Sequence, residues 1–238
     1  FTGWMLLSYR KPALASSVRD TFPASNVTDE NPRTFWVAAT NEPGETLTLD
    51  LQHEYDVKAL QVNFTDYESG IYGSDSTVYT QFRMYASRDG EQWQQIADLT
   101  GEKRDRPNAY VELPRPVRAR YVKYEHVYVA SPNLAISDIR IFGNGDGAPP
   151  QTPTHFSVRR DTDPRNAFVS WDPVPGAVGY NVRWGIHPDR LFQTYQVFAD
   201  RGTPLEVRAL TTGQDYYFAI EAFDENGVSK LSDVVHVE

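Results

Sequence analysis

The stretch Asn26-Val27-Thr28-Asp29-Glu30-Asn31-Pro32-Arg33-Thr34-Phe35-Trp36 contains the residues that bear most directly on the fold of this chain. Asp29, Asn31 and Thr34 offer hard oxygen donors within a few residues, as a calcium-type site requires. Trp36 begins a run typical of a strand and is large enough to close the end of a β-sandwich. The same residues also fit an Asx- and Pro-containing turn followed by a core tryptophan, so the spacing alone leaves both interpretations open.

The composition excludes several classes of function. The chain has 238 residues, a formal net charge of −9 and 40% hydrophobic residues, so it is long enough for two domains with real cores. It has no dense basic run, so nucleic acid and anionic membranes are poor partners. No apolar run approaches the length of a membrane span. The absence of cysteine argues against an animal extracellular module but is compatible with a bacterial secreted protein.

A linker divides the chain. Gly and Pro dominate residues 143–153, and no apolar period passes through them. We therefore expect domains at residues 9–143 and 153–238 joined by a linker at 144–152, with residues 1–8 a linker from a missing upstream domain. Both halves contain short alternating or β-branched runs separated by turn residues, and neither holds a helical period over three turns. This pattern predicts an all-β protein made of antiparallel sandwiches.

The second half carries a spaced set of core-type residues around an aromatic corner. Leu210, Tyr216, Ile220 and Ala222 stand at relative positions 0, 6, 10 and 12. This spacing resembles that of the fibronectin type III domain, and the resemblance covers residues 153–238. It implies an immunoglobulin-like sandwich in which the Tyr216 hydroxyl satisfies a backbone group while its ring packs inside. Such a domain serves as a spacer or, alternatively, as a binding surface.

The opening stretch and several later motifs match one family in the family's usual order. The family pattern Asn-Ala-x-Asp-Gly-x-x-x-Thr-x-Trp is matched at Asn26, Asp29, Thr34 and Trp36 and departs at Val27 and Glu30. Further matches are LTLDL at 47–51, SRDGEQW at 87–93, ARYVK at 119–123 and AISDIRIFG at 135–143. The first half therefore resembles the discoidin domain, also called the coagulation-factor type C domain. Its jelly-roll-like sandwich is shared by the carbohydrate-binding modules of family 32.

In that family a calcium ion often ties the first loop to the last strand. The ligand set that the resemblance implies consists of side chains and loop carbonyls at Asn26, Asp29, Asn31, Thr34, Ala135 and Asp138. Calcium accepts such mixed carboxylate, hydroxyl and carbonyl oxygens. Asp138 stands where the family usually has Glu, and Glu30 stands where it has Gly, although a positive φ costs Glu more than Gly. We therefore expect a structural calcium ion rather than a catalytic metal.

Residues 1–12 are too apolar for a free tail. They resemble the segment that joins a catalytic β-propeller to a discoidin-type domain in bacterial family 43 glycoside hydrolases, the xylosidase- and arabinofuranosidase-like enzymes. The resemblance implies a non-catalytic module pair of an enzyme that is secreted, periplasmic or at the cell surface of a bacterium. Its partners would be the upstream catalytic domain in cis and a plant polysaccharide of the xylan or arabinan type. The chain itself has no catalytic signature, since its five histidines lack metal-ligand spacing and no nucleophile elbow or P-loop occurs.

Sugar binding on such a sandwich uses loops at one end, where aromatic faces stack on sugar rings and polar side chains bond the hydroxyls. The loops at residues 65–79 and 101–108 suit this role, together with the first loop. The candidate glycan-binding residues are Phe22, Tyr67, Tyr72, Arg104 and Asn108. Three functions stay open: carbohydrate binding that positions a catalytic domain, bracing or spacing without glycan binding, and a cell-surface adhesion fragment.

Overall fold

Alternating apolar and polar residues form the strands of both halves of the chain. The computed structural model describes residues 3–71 and 77–238. The chain divides into two units, Phe1–Gly145 and Asp146–Glu238, and this division falls inside the segment predicted as a linker.

Both units are all-β sandwiches, in agreement with the prediction from alternation and turn signals. Within the described ranges, helix is confined to two short 3-10 segments, Ala24–Thr28 and Ala199–Arg201. No helix in these ranges is long and apolar enough to cross a membrane.

The first unit forms an eight-stranded arrangement with the hydrogen-bonded order β1-β8-β4-β7-β5-β6, while β2 pairs with β4 and β3 pairs with β8. In chain order the strands are β1 (Met5–Leu6), β2 (Ala13–Ala15), β3 (Trp36–Val37), β4 (Thr46–Phe64), β5 (Thr80–Ser87), β6 (Gln94–Asp98), β7 (Asn108–Val129) and β8 (Ala135–Asn144). All of these pairings are antiparallel.

Two long strands, β4 and β7, organise this unit. Leu47, Leu49 and Leu51 alternate with polar residues along β4 and are fully buried, as expected for a strand with one face on the core. The register of β4 against β7 shifts between Asp50 and Tyr55. The early part of β4 pairs with β2 and the late part pairs with β8, whereas β7 pairs with both parts. Irregularities of this kind bend a strand, so one continuous strand serves two sets of neighbours.

Trp36 anchors the first loop in the core, in agreement with its predicted role. Its side chain is fully buried, and Trp36 pairs with Ile136 of β8. The indole Nε1 donates a hydrogen bond of 2.9 Å to the carbonyl oxygen of Ser17, so its one polar atom is satisfied. The loop that precedes Trp36 is therefore held against the last strand of the unit.

Residues 5–8 belong to the first unit, so the predicted boundary at residue 9 lies too late. Met5 pairs with Gly143, and Leu6 pairs with Phe142. Leu7 is fully buried, and its backbone N–H donates to the Ile141 carbonyl at 2.8 Å. The apolar character of this segment reflects its place in the sheet and the core rather than a linker role.

The second unit contains one three-stranded sheet in the order β13-β10-β9 and one four-stranded sheet in the order β12-β11-β14-β15. Its strands are β9 (Ser157–Arg160), β10 (Ala167–Ser170), β11 (Gly179–Gly185), β12 (Gln193–Phe198), β13 (Leu205–Val207), β14 (Tyr216–Phe223) and β15 (Val235–Val237). The Tyr216 ring is buried, and its hydroxyl accepts a hydrogen bond of 3.0 Å from the Thr211 N–H. Leu210, Ile220 and Ala222 are buried as well.

Candidate functional site

The first loop brings three of the predicted metal ligands together. The Thr34 hydroxyl donates to Asp29 Oδ2 at 2.7 Å and lies 2.9 Å from the Asn31 carbonyl oxygen. The Asn31 N–H donates to Asp29 Oδ1 at 2.9 Å, which makes an Asx turn. Both interpretations of the sequence therefore describe the same atoms, because the turn itself collects a carboxylate, a hydroxyl and a carbonyl.

The other three predicted ligands are engaged in different ways. Asp138 is buried, and its Oδ2 accepts hydrogen bonds from Ser137 Oγ at 2.9 Å and Asn63 Nδ2 at 3.3 Å, but its Oδ1 has no partner. The Ala135 carbonyl oxygen accepts the Thr65 N–H at 3.1 Å. Asn26 donates its side-chain amide to the Phe35 carbonyl at 2.8 Å. The Asp138 Oδ1 atom is a buried acceptor that a cation could satisfy.

Across the described ranges, no three carboxylate or imidazole side chains converge as metal ligands do. A cation at this loop would therefore need hydroxyl and carbonyl oxygens in addition to Asp29 and Asp138, and the loop supplies them at Thr34 and Asn31. The donor set thus fits a hard cation such as calcium and is unsuited to zinc, which prefers nitrogen and sulfur ligands.

Glu30 makes a second connection between the first loop and β8. Its φ of 55° lies in the left-handed region, which Gly adopts more readily than Glu. Its carboxylate accepts hydrogen bonds from Arg140 at 2.9 Å and 2.8 Å, so the pair is bidentate. Burial raises the pKa of Glu30, and the nearby charges of Asp138 and Asp29 add to this effect, whereas Arg140 opposes it. The ion pair therefore compensates for a strained and partly desolvated residue.

Two of the predicted glycan-binding residues pack on each other. The rings of Phe22 and Tyr67 lie 4.9 Å apart, and Phe22 also stacks on Phe35 at 4.9 Å with an interplanar angle of 16°. The centroids of Phe35 and Tyr67 are 5.6 Å apart. These distances are typical of aromatic pairs that stabilise each other. We call these three residues the aromatic cluster; it joins the first loop to the loop that follows β4.

Two further predicted residues lie apart from the aromatic cluster, and one falls outside the described ranges. Arg104 is exposed and forms a bidentate ion pair with Glu102, with Nε at 2.9 Å and Nη2 at 2.7 Å. Asn108 begins β7, where it pairs with Asn63. Tyr72 lies outside the described residues.

A cavity of about 250 Å³ lies where the loops that the sequence singled out meet the ends of β4, β5 and β7. Its apolar wall includes Phe64 and Tyr79, and the Tyr79 ring stacks on Tyr128 with centroids 4.6 Å apart. The described residues that line it are Phe64, Thr65, Asp66, Ile71, Val78, Tyr79, Thr80, Asp105, Pro107, Val129, Ala130, Ser131, Asn133 and Ala135. Its volume is just below the about 300–1,000 Å³ of typical ligand pockets, so it suits a single small ring.

Polar groups converge on this cavity from three segments. Asp66 comes from the loop after β4, Asp105 from the loop before β7, and Ser131 and Asn133 from the turn before β8. Asn133 donates its side-chain amide to the Tyr67 carbonyl at 3.1 Å, which connects the cavity to the aromatic cluster. Both loops were predicted from the sequence through Tyr67, Tyr72, Arg104 and Asn108, whereas Asp66 and Asp105 were missed.

Comparison with known proteins places the first unit in a family. Residues 12–135, more than half of the chain, match the F5/8 type C domain. No curated protein matches the chain.

Three solved structures are similar to part of this chain. Chitosan-binding module 1 of a chitosanase/glucanase from Paenibacillus sp. IK-5 is 17% identical, with a TM-score of 0.48 over 58% of this chain and 99% of that one. The family 32 module of NanJ from C. perfringens, solved with galactose, is 17% identical, with a TM-score of 0.47 over 58% and 98%. The module CpGH89CBM32-6 from Clostridium perfringens is 20% identical, with a TM-score of 0.48 over 59% and 100%. The assignment rests on the family match over residues 12–135: the chain belongs to the F5/8 type C domain family.

Proposed function

We propose that the first unit is a non-catalytic module that binds a glycan in the cavity beneath its loops. The observation that carries this proposal is the juxtaposition of an apolar wall with polar groups from three separate segments. Sugar rings present both C–H faces and hydroxyls, so a pocket of this mixed character suits them. Because one ring fills the cavity, we expect it to hold the end or a single unit of a longer glycan.

The ion pair of Glu30 supports a non-catalytic role for the first unit. Glycoside hydrolysis generally needs two carboxyls that flank one bond, and one of them must have a raised pKa. Burial raises the pKa of Glu30, but Arg140 holds both of its carboxylate oxygens. A carboxylate fixed in this way cannot donate a proton to a departing sugar without first breaking the ion pair.

The proposed parent protein is the one that the sequence resemblance implies. In this proposal the two units belong to a secreted or cell-surface bacterial enzyme of the family 43 type, with a catalytic domain in cis. Xylan- and arabinan-derived oligosaccharides are the first ligands to try. Purely structural bracing is the second candidate, because Phe22 and Tyr67 pack on each other rather than standing free for a sugar ring.

The proposed role of the second unit is that of a fibronectin type III spacer. Its sheets of three and four strands have the size expected for that sandwich, and the Tyr216 hydroxyl is bonded to a backbone group five residues upstream.

A calcium ion at the first loop is a further part of the proposal. The ligands would be Asp29, Thr34 and Asp138, supported by the unpartnered Oδ1 of Asp138. The ion would hold the loop to β8 and take no part in chemistry.

Titration calorimetry of the full chain against a panel of oligosaccharides tests the binding proposal. The informative variant is Tyr79→Ala, which removes an aromatic wall of the cavity, and Tyr110→Ala is its control because Tyr110 is exposed on β7 away from the cavity. We expect at least one ligand to bind with roughly micromolar to millimolar affinity and Tyr79→Ala to weaken it about tenfold. Binding of none of the ligands, or equal losses in both variants, would favour structural bracing.

A further inference from the structure

We infer that the cavity of the first unit selects a sugar that carries a protonated amine over a neutral sugar. This inference rests on the proposed glycan binding and narrows it to an amino sugar. Three features of the cavity support it, namely two unpaired carboxylates, one unpartnered buried hydroxyl and an apolar wall.

The carboxylates of Asp66 and Asp105 reach the cavity from two different loops, and both side chains are exposed. Neither forms a hydrogen bond or an ion pair with any described residue. Other acids of this unit, such as Glu30, Asp50 and Glu54, each face an arginine. Two uncompensated negative charges at one cavity create a potential that favours a cation over a neutral ligand.

The two arginines that flank Asp105 in sequence are occupied elsewhere. Arg104 and Arg106 both bind Glu102, at 2.7 Å and 3.4 Å. Arg19 donates to Asn133 Oδ1 at 2.7 Å. Among the described residues that line the cavity there is no lysine, arginine or histidine. The negative charge at the rim is therefore left for a ligand to neutralise.

Thr80 supplies an independent sign that a polar ligand belongs here. Its side chain is 8% exposed and lines the cavity, yet its Oγ1 has no hydrogen-bond partner. A buried hydroxyl without a partner costs free energy, so native proteins usually pair it with protein, water or ligand. A rotation of the Thr80 side chain would bring this hydroxyl to a sugar hydroxyl or amine in the cavity, which would provide the missing bond.

The size and the wall of the cavity favour an organic cation over a metal ion. A bare or hydrated ion does not use an apolar wall, whereas the face of a sugar ring packs on aromatic groups such as Tyr79 and Phe64. The described residues also hold no trio of carboxylate or imidazole ligands for a metal. A ring with one ammonium group matches the volume, the wall and the charge together.

The test compares three oligosaccharides of equal length by titration calorimetry on the full chain at about pH 5.5, where a sugar amine is protonated and a carboxylate is ionised. The first is a fully deacetylated glucosamine oligomer, the second is its N-acetylated form, and the third is a neutral xylose oligomer. We expect the deacetylated form to bind at least tenfold more tightly than either of the other two, because the ammonium group makes charge-assisted hydrogen bonds.

The variants Asp66→Asn and Asp105→Asn keep the shape of the rim and remove one charge each. We expect each to weaken binding of the deacetylated oligomer about three- to tenfold, as exposed charged hydrogen bonds do. Glu112→Gln removes an exposed carboxylate of β7 that does not line the cavity, so it should have no effect. Thr80→Val keeps the side-chain shape and should weaken binding while thermal stability stays equal or rises, since it deletes the unpartnered hydroxyl.

Three results would overturn the inference. If all three oligosaccharides bind equally and Tyr79→Ala weakens each of them, glycan binding stands and the preference for an amine is wrong. If Glu112→Gln weakens the deacetylated oligomer as much as the two aspartate variants do, the attraction comes from the net charge of −9 and not from the cavity. Binding of none of the three while another oligosaccharide of the panel binds would overturn the inference alone, and binding of no oligosaccharide of the panel would overturn the proposed function as well.

Discussion

The buried histidine of β7 gives the first unit a specific sensitivity to acid. His126 is 1% exposed, and its Nε2 lies 2.9 Å from Asn41 Oδ1. The Asn41 amide donates to the Ser131 carbonyl at 2.7 Å, so the oxygen of Asn41 faces the ring and the imidazole Nε2 must be the donor. The Nδ1 atom then accepts from the Tyr124 hydroxyl at 3.1 Å. The neutral ring therefore satisfies both of its nitrogens.

Burial lowers the pKa of His126 from 6.5 to about 4, although the charge of Glu45 opposes this shift. Because the pKa is lower in the folded state, the unfolded chain binds the proton first as the pH falls below 6.5. The contribution of neutral His126 to the stability of the first unit is therefore fully present above pH 6.5 and is lost as the pH falls towards 4. For this single group the free energy of unfolding should decrease by about 2 kcal/mol between pH 7.5 and pH 5.

Hydrogen exchange followed by mass spectrometry can measure this loss in peptides from β4 and β7, with peptides of the second unit as an internal reference. The variant His126→Gln can donate to Asn41 and accept from Tyr124 but cannot be protonated. We expect it to be less stable than the parent chain at pH 7.5, yet to lose about 2 kcal/mol less than the parent chain on acidification. His53→Gln is the matched control, since His53 is exposed in the same unit. An equal pH dependence in the parent chain and in His126→Gln would refute this reasoning.

Three further predictions concern stability. If calcium binds the first loop, chelation should lower the melting temperature of the first unit alone, and Asp29→Ala should abolish that response in calorimetry. Arg140→Met should destabilise the first unit by about 2 kcal/mol in urea unfolding, because Glu30 would remain buried without its partner, and Glu30→Gln in the same background should recover part of the loss. Tyr216→Phe should cost the second unit about 1–2 kcal/mol and leave the first unit unchanged, since the backbone N–H that it satisfies would lose its acceptor.

The strands were predictable from the sequence because burial on one face imposes alternation, but their continuity was not. The runs at residues 46–51 and 59–64 read as two separate strands, yet they form the single strand β4. The connection passes through Gln52, whose φ of 70° permits an irregularity without a glycine or proline to signal it. Local patterns therefore located the core-facing residues more reliably than the ends of each strand.

The candidate site was predictable only at the level of its loops. Phe22 and Tyr67 were chosen because exposed aromatic residues suit sugars, but their packing against Phe35 depends on contacts between segments far apart in sequence. Asp66 and Asp105 look like ordinary solvated acids in the sequence, since only the folded chain shows that they share a cavity and lack partners. From the sequence, His126 is only one of five histidines without metal-ligand spacing. Its effect on the pH dependence of stability comes from burial, which the sequence does not show.

The pairing of β1 with β8 has a consequence for how the first unit can be transplanted. Met5 lies opposite Gly143, so the chain enters and leaves this unit through neighbouring backbone positions about 5 Å apart. A protein segment whose two ends meet can replace a surface turn of an unrelated host without stretching it, and its natural ends can be joined while new ones are opened elsewhere. The unit is therefore suited to insertion within another fold as well as to tandem fusion.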